Sequence, residues 1–225
     1  MTEPEDGQRA GRQTGGYPDD GRGIIERTMR ALELTQGVEI ARRYLAMNAF
    51  DGALTMLGLI LGGLLTIDPA NPGVVFDALL LAAVGTSVAM AISGFSGSYL
   101  AESAERDREV EEIGKAMLTD MSESMYAKAT RTTAAFVAIV DGLSPAGAAF
   151  IIITPLMLVP TGVLDAITAF YLAIIICMML LFALGLFLGT ISRKNMWVYG
   201  AKTLLAGIVT AILMLLISSI TGAGV

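Results

Sequence analysis

The chain has 225 residues, of which 54% are hydrophobic and 16% charged, and a formal net charge of −6. A mean hydropathy of +0.66, with far less charge than the ~25% of a soluble domain, indicates an all-α membrane protein. The single cysteine, Cys177, excludes a disulfide framework or a thiolate metal cage, and the lack of histidine excludes imidazole metal sites, histidine proton relays and Ser-His-Asp triads.

In chain order, residues 1–22 are polar and Gly-rich, with no apolar core. They predict a disordered cytoplasmic tail and no signal peptide. Residues 23–44 place Ile25, Met29, Leu32, Val38 and Ile40 at helical spacing and predict an amphipathic cytoplasmic helix. Its apolar side suits either a membrane surface or a plain solvent-exposed helix.

Five stretches then reach the ~20 apolar residues that a bilayer crossing needs: about 45–66 and 75–100, followed by 133–159, 166–191 and 198–220. Spans one and two thus occupy 45–100, and spans three to five occupy 132–225. A charged linker at 101–131 separates the two groups. Seven of the 15 basic residues precede span one and five lie in the linker; Arg193, Lys194 and Lys202 complete the set. All fall on one side of the expected topology, whereas Asp68, Asp77 and Asp165 lie on the other. The positive-inside rule then predicts a cytoplasmic N-terminus and an external or luminal C-terminus, with Lys202 snorkelling.

Two Asp-Gly pairs interrupt the apolar spans, Asp51-Gly52 and Asp141-Gly142. A carboxylate at a membrane-helix centre costs roughly 2.5–3.5 kcal/mol on insertion scales. No Lys or Arg lies deep in a span to neutralise it. The acids are therefore either protonated, or in water with a cation, or held structurally by Ser, Thr, Asn or backbone groups. The pairs, with Asp77 and Asp165, recur at nearly equal spacing, which suggests a parallel internal repeat or chance. Gly58-x-x-x-Gly62, Gly94-x-x-Gly97 and Gly185-x-x-x-Gly189 permit close helix approach. Pro145, Pro155 and Pro160 predict that span three is kinked or broken, with a cavity near Asp141 and Ser144.

The linker runs on from span two without a breaker. It predicts a helix, a turn near Gly114 and a second helix into span three. Glu102, Glu105, Glu109 and Glu112 line one helical face, relieved by Glu105–Arg108 and Glu111–Lys115 pairing. Met117, Asp120, Met121, Glu123 and Met125 follow. Such oxygen and thioether groups suit Mn²⁺ or Fe²⁺; the alternative is a solvated charged helical hairpin.

The motifs "FDGALT" and "SGFSGSYLAESAERDRE", with five spans and an acidic linker between spans two and three, resemble the vacuolar iron transporter family over about residues 40–220. The resemblance implies a homodimer that moves Fe²⁺ or Mn²⁺ out of the cytoplasm in exchange for protons, along a pathway at the dimer interface. It matches Asp51 to the pathway aspartate. It also puts Glu102, Glu105, Asp107, Glu109 and Glu112 in a cytoplasmic metal-binding hairpin between spans two and three. The family's second acid and methionine in span two are absent here, falling near Thr86 and Gly94. Met90 is positioned to replace the sulfur, and Asp141 the acid.

The reading that follows is a divalent metal/proton antiporter. Linker acids collect the ion, and Asp51 passes it through the membrane with Met47, Met56 or Met90. No tightly bound cofactor and no nucleic-acid partner are expected. The expected setting is a prokaryotic plasma membrane, with lipid, metal ions, protons and a second copy as partners. A non-transporting module whose linker senses metal or binds a protein is the alternative. A membrane enzyme finds no clustered catalytic motif.

Overall fold

The structure, a computed structural model, describes residues 23–67 and 72–222. The expected tail at 1–22 and the outer Asp68 lie outside these. The described chain forms six helices: α1 (Ile24–Leu34), α2 (Gly37–Thr66), α3 (Pro72–Met117), α4 (Met125–Met157), α5 (Ala166–Ile191) and α6 (Met196–Thr221). Helices α2 to α6 are each long and apolar enough to cross a membrane. Their apolar runs coincide with the five expected spans, because in lipid an apolar segment must satisfy its backbone within its own helix.

The amphipathic segment does not run unbroken from 23 to 44. It stops at Thr35, and Gln36 takes a left-handed conformation (φ 54°) before α2 starts at Gly37. The break lets α1 fold back on α4. Leu32 is buried, and the Thr35 and Thr133 hydroxyls hydrogen-bond at 2.6 Å. A Cβ on Gly37 would stand 2.6 Å from Leu32 Cδ2 and 2.7 Å from Thr133 Cγ2, so any larger residue there would have to push these side chains aside. Ile25 and Met29, also assigned to the apolar side, remain exposed. Thr35→Val would strand the buried Thr133 hydroxyl, at a cost of about 1–3 kcal/mol. The expected result is faster tryptic cleavage at Arg27 and Arg30; unchanged protection would show that α1 is held by other contacts.

Helix α4 is the centre of the bundle, packing on α1, α2, α3 and α5. Its inward positions include many small residues, among them Ala134, Ala138, Gly142, Ala146 and Ala149, which lets helix backbones approach closely. Span three is not broken: α4 runs continuously through Pro145 and Pro155, and Pro160 lies beyond its end. The neighbouring helices hold it in place, although Pro145 has no N–H to give the Asp141 carbonyl four residues back. At the end of the bundle near Leu156, an apolar core gathers Met56, Ile60, Phe76, Ile152, Leu156 and Phe170, with Phe76 and Phe170 edge to face at 6.4 Å.

Helix α3 has 46 residues, roughly 69 Å at 1.5 Å per residue, against an apolar core of about 30 Å in a bilayer. Its charged second half therefore extends past the apolar part. The turn expected near Gly114 falls at 118–124. Gly114 is instead the last-turn residue on which the chain folds back: its carbonyl accepts from Thr119 N–H at 3.0 Å, and a Cβ there would stand 2.9 Å from the Thr119 carbonyl. Ser124 then caps α4 by accepting from Ala127 N–H at 3.1 Å.

Helices α5 and α6 close on the Gly185-x-x-x-Gly189 face, where a Cβ on Gly185 would stand 2.6 Å from Gly200 Cα. The repeat does not carry through to structural roles. Asp165 caps α5 by accepting from Thr168 N–H at 3.0 Å, whereas Asp77 sits exposed inside α3. That N–H holds the Asp165 carboxyl below the usual carboxylate range. The cap's contribution is therefore full above about pH 4 and is lost as pH falls through the lower folded pKa.

Candidate functional site

The two Asp-Gly pairs have one feature in common and one difference. In both, the glycine is a helix-contact residue. A Cβ on Gly52 would stand 2.7 Å from Pro145 Cα, and one on Gly142 would stand 2.6 Å from the Ala91 carbonyl oxygen. Gly52 thus seats α2 on α4, and Gly142 seats α4 on α3. The aspartates, one position earlier, are rotated about 100° around their helices and meet different surroundings.

Asp141 is 5% exposed and lies where α2, α3 and α4 meet. Ser98 Oγ on α3 donates to Asp141 Oδ2, and Asn48 Nδ2 on α2 donates to Oδ1. Asn48 also donates to the Tyr44 carbonyl at 3.1 Å. Gly94 on α3 lies against the Asp141 carbonyl, 3.1 Å from where its Cβ would be. This polar knot joins three helices, and each carboxylate oxygen has a donor.

Asp51 is exposed, one turn from exposed Met47 and one turn from exposed Thr55. Among the described residues, no hydrogen-bond or ion-pair partner reaches its side chain. The same stripe continues to Gly58, where a Cβ would meet open space. On α3, Gly85 and Gly97 also face open space. Met56 is fully buried in the apolar core and Met90 packs against that core. Of the three methionines, the structure brings only Met47 onto the Asp51 face.

The linker acids are spread among local partners. Tyr44 hydroxyl donates to Glu102 at 3.1 Å, and Arg106 lies between Glu102 (3.7 Å) and Glu109 (2.9 Å). Tyr126 hydroxyl donates to Glu109 at 2.6 Å. This chain ties α2, α3 and α4 together above the Asp141 knot. It leaves Arg106 Nε buried without a hydrogen-bond partner among the described residues.

Lys115 pairs with Glu111 as expected (2.7 Å), but Arg108 pairs with Glu112 (2.9 Å) rather than Glu105. Both acids lie within reach of Arg108 on the helix surface, and it takes the one a turn ahead. Asp107 lies 3.9 Å from Arg131. Asp120 accepts from Ser122 N–H at 2.9 Å, which holds its carboxyl below the usual range. Glu105, Met117 and Glu123 are exposed, and Met121 is half-buried in the turn. Among the described residues, no three acidic or thiol side chains gather closely enough to hold a metal ion.

The chain is 30% identical over 197 residues to the uncharacterized protein MJ0645 of Methanocaldococcus jannaschii. The match covers 86% of this chain and 96% of the archaeal one. The chain belongs to the family of that protein. No family model and no solved structure matches it.

In this member of the family, sequence reasoning missed Asn48, Ser98, Tyr44 and Tyr126. Asn48 carried a signal: an amide inside an apolar span needs a partner. Ser98 and the two tyrosines carried none, since small hydroxyls and interfacial tyrosines are ordinary in membrane helices.

Proposed function

We propose that the protein is a homodimeric carrier of divalent cations, Fe²⁺ or Mn²⁺, that moves them out of the cytoplasm in exchange for protons. The observation that carries this reading is Asp51, exposed on a membrane-length helix with no side-chain partner among the described residues. A carboxylate facing lipid costs roughly 2.5–3.5 kcal/mol, so a second copy covering that face relieves a real penalty. Two Asp51 side chains across a twofold axis supply two negative charges, which one divalent ion balances. Met47 adds a soft thioether beside hard carboxylate oxygens, a set that suits Fe²⁺ and Mn²⁺. Protons compete for the same oxygens, which couples the two fluxes. Gly58 on α2, with Gly85 and Gly97 on α3, gives the dimer face its close approach.

The resemblance of "FDGALT" and "SGFSGSYLAESAERDRE" to the vacuolar iron transporters supports the same reading. The charge asymmetry supports a cytoplasmic N-terminus and α3–α4 hairpin in a prokaryotic plasma membrane. On that side the linker acids raise the local cation concentration without forming a fixed cage.

In liposomes holding a metal-quenched dye, the protein is expected to carry Mn²⁺ and Fe²⁺ against a proton gradient. Gly58→Leu is expected to reduce cross-linked dimer and flux together without unfolding the chain, because Gly58 faces open space within one copy. Flux from a chain that stays monomeric would sink the dimer pathway.

A second reading is a non-transporting module whose acidic linker binds metal or a protein. A pocket of about 550 Å³ at the α3–α4 turn favours it, rimmed by Asp107, Glu111, Lys115, Asp120 and Arg131. Metal binding with no flux would select this reading.

A further inference from the structure

Where the first turns of α2 meet the end of α5, the surface opens into a groove of about 770 Å³. Arg42, Arg43 and Arg193 line it, with Glu39 as the opposing carboxylate. Among the described residues, none of the three arginines has a carboxylate within ion-pair distance, Glu39 included. Arg43 instead lies over the Tyr44 ring at 5.9 Å.

The groove also has an apolar side, formed by Met47, Leu188 and Ile191. It therefore spans the change from charged helix end to apolar helix body. The same level of the bundle carries the start of α6, where Trp197 packs with Phe182 at 6.1 Å and Lys202 lies over Tyr199 at 5.3 Å. Trp and Tyr concentrate at membrane–water interfaces, and Lys reaches out to them.

We propose that this groove binds an anionic phospholipid. The phosphodiester sits among Arg42, Arg43 and Arg193, and an acyl chain lies along Met47, Leu188 and Ile191. A planar guanidinium pairs with two phosphate oxygens at once. Three arginines against Glu39 leave a net charge of about +2 for a headgroup of −1, and basic pockets between membrane helices hold such headgroups. A zwitterionic lipid brings its own ammonium, which the arginines repel and only Glu39 attracts. Met47 borders both this groove and the Asp51 face, but the lipid site does not depend on whether Asp51 carries a cation.

The test is a lipid titration of the detergent-solubilised full chain, read by native mass spectrometry and by thermal unfolding. Phosphatidylglycerol is expected to bind and to raise the unfolding temperature by several degrees. Phosphatidylcholine and water-soluble glycerol phosphate, at equal concentration, are expected to do neither. The triple variant Arg42→Gln/Arg43→Gln/Arg193→Gln is expected to bind phosphatidylglycerol at least tenfold more weakly. Glu39→Gln, which removes only the opposing charge, is expected to bind it more tightly. An unchanged affinity in the triple variant would overturn the site. So would a Glu39→Gln variant that binds no more tightly, which decides the matter even if the triple variant fails to fold. Equal stabilisation by glycerol phosphate would make this a soluble-phosphate site, and equal binding of phosphatidylcholine would remove the charge argument.

Discussion

Asp51→Asn is expected to lower cation flux at least about tenfold while leaving stability within about 0.5 kcal/mol of the parent chain. The substitution keeps the size of the side chain and removes its charge. Among the described residues no side chain leans on that charge: Asp51 is exposed, and Thr55 Oγ1 donates at 2.8 Å to its backbone carbonyl, not to its carboxylate. The fold should therefore tolerate the change. A divalent ion between two neutral amides, in contrast, loses the two negative charges that balance it. A tenfold loss corresponds to about 1.4 kcal/mol, modest for a desolvated charged ligand. Asp141→Asn supplies the contrast. It places an amide N–H₂ against either Ser98 or Asn48, so its first effect is on stability, by about 0.6–1.7 kcal/mol for an interhelical membrane hydrogen bond. Flux in liposomes and thermal unfolding in detergent, measured on the same preparations, separate the two acids. If Asp51→Asn transports as well as the parent, Asp51 is not in the pathway.

A large effect on folding is expected at Gly142. Gly142→Ala should cost about 1–3 kcal/mol, and Gly142→Leu should prevent recovery of folded protein. The new Cβ would stand 2.6 Å from the Ala91 carbonyl oxygen and 2.9 Å from Phe95 N. Both are backbone atoms of α3, so relief requires α3 and α4 to separate. That movement also pulls Ser98 away from Asp141. Gly147 is the internal control, since it lies on the same helix and a Cβ there meets open space. Gly147→Ala should be neutral or slightly stabilising, because alanine is favoured over glycine in a helix. Equal unfolding temperatures for the two alanine variants would refute the account of Gly142 as the seat of α3 on α4.

The two aspartates show how far the sequence reached. Each stands out as an acid in an apolar run, and the family resemblance singles out Asp51. Their opposite environments depend on how α2 and α4 are rotated about their axes and on which helices lie beside them. Asp141 meets Asn48 and Ser98, both 43 or more residues away in sequence, and no local pattern encodes that meeting. The linker behaved similarly. Its helical phase and the Glu111–Lys115 pair were readable from i,i+4 spacing. The engagement of Glu102 and Glu109 by Tyr44 and Tyr126 was not, because it depends on how α2 and α4 pack against α3.

By itself the sequence determined the helical class and the five membrane-length segments. Those follow from hydropathy and from the need of each helix in lipid to satisfy its own backbone, both of which are local properties. It also marked the acids that need an explanation. Only the tertiary structure decided which acid is tied down and which is open. It also placed the bend after α1 at Gln36 and kept α4 whole through two prolines. Those outcomes depend on side chains meeting across helices, where a rotation of about 100° per residue turns one neighbour toward the core and the next toward the open face.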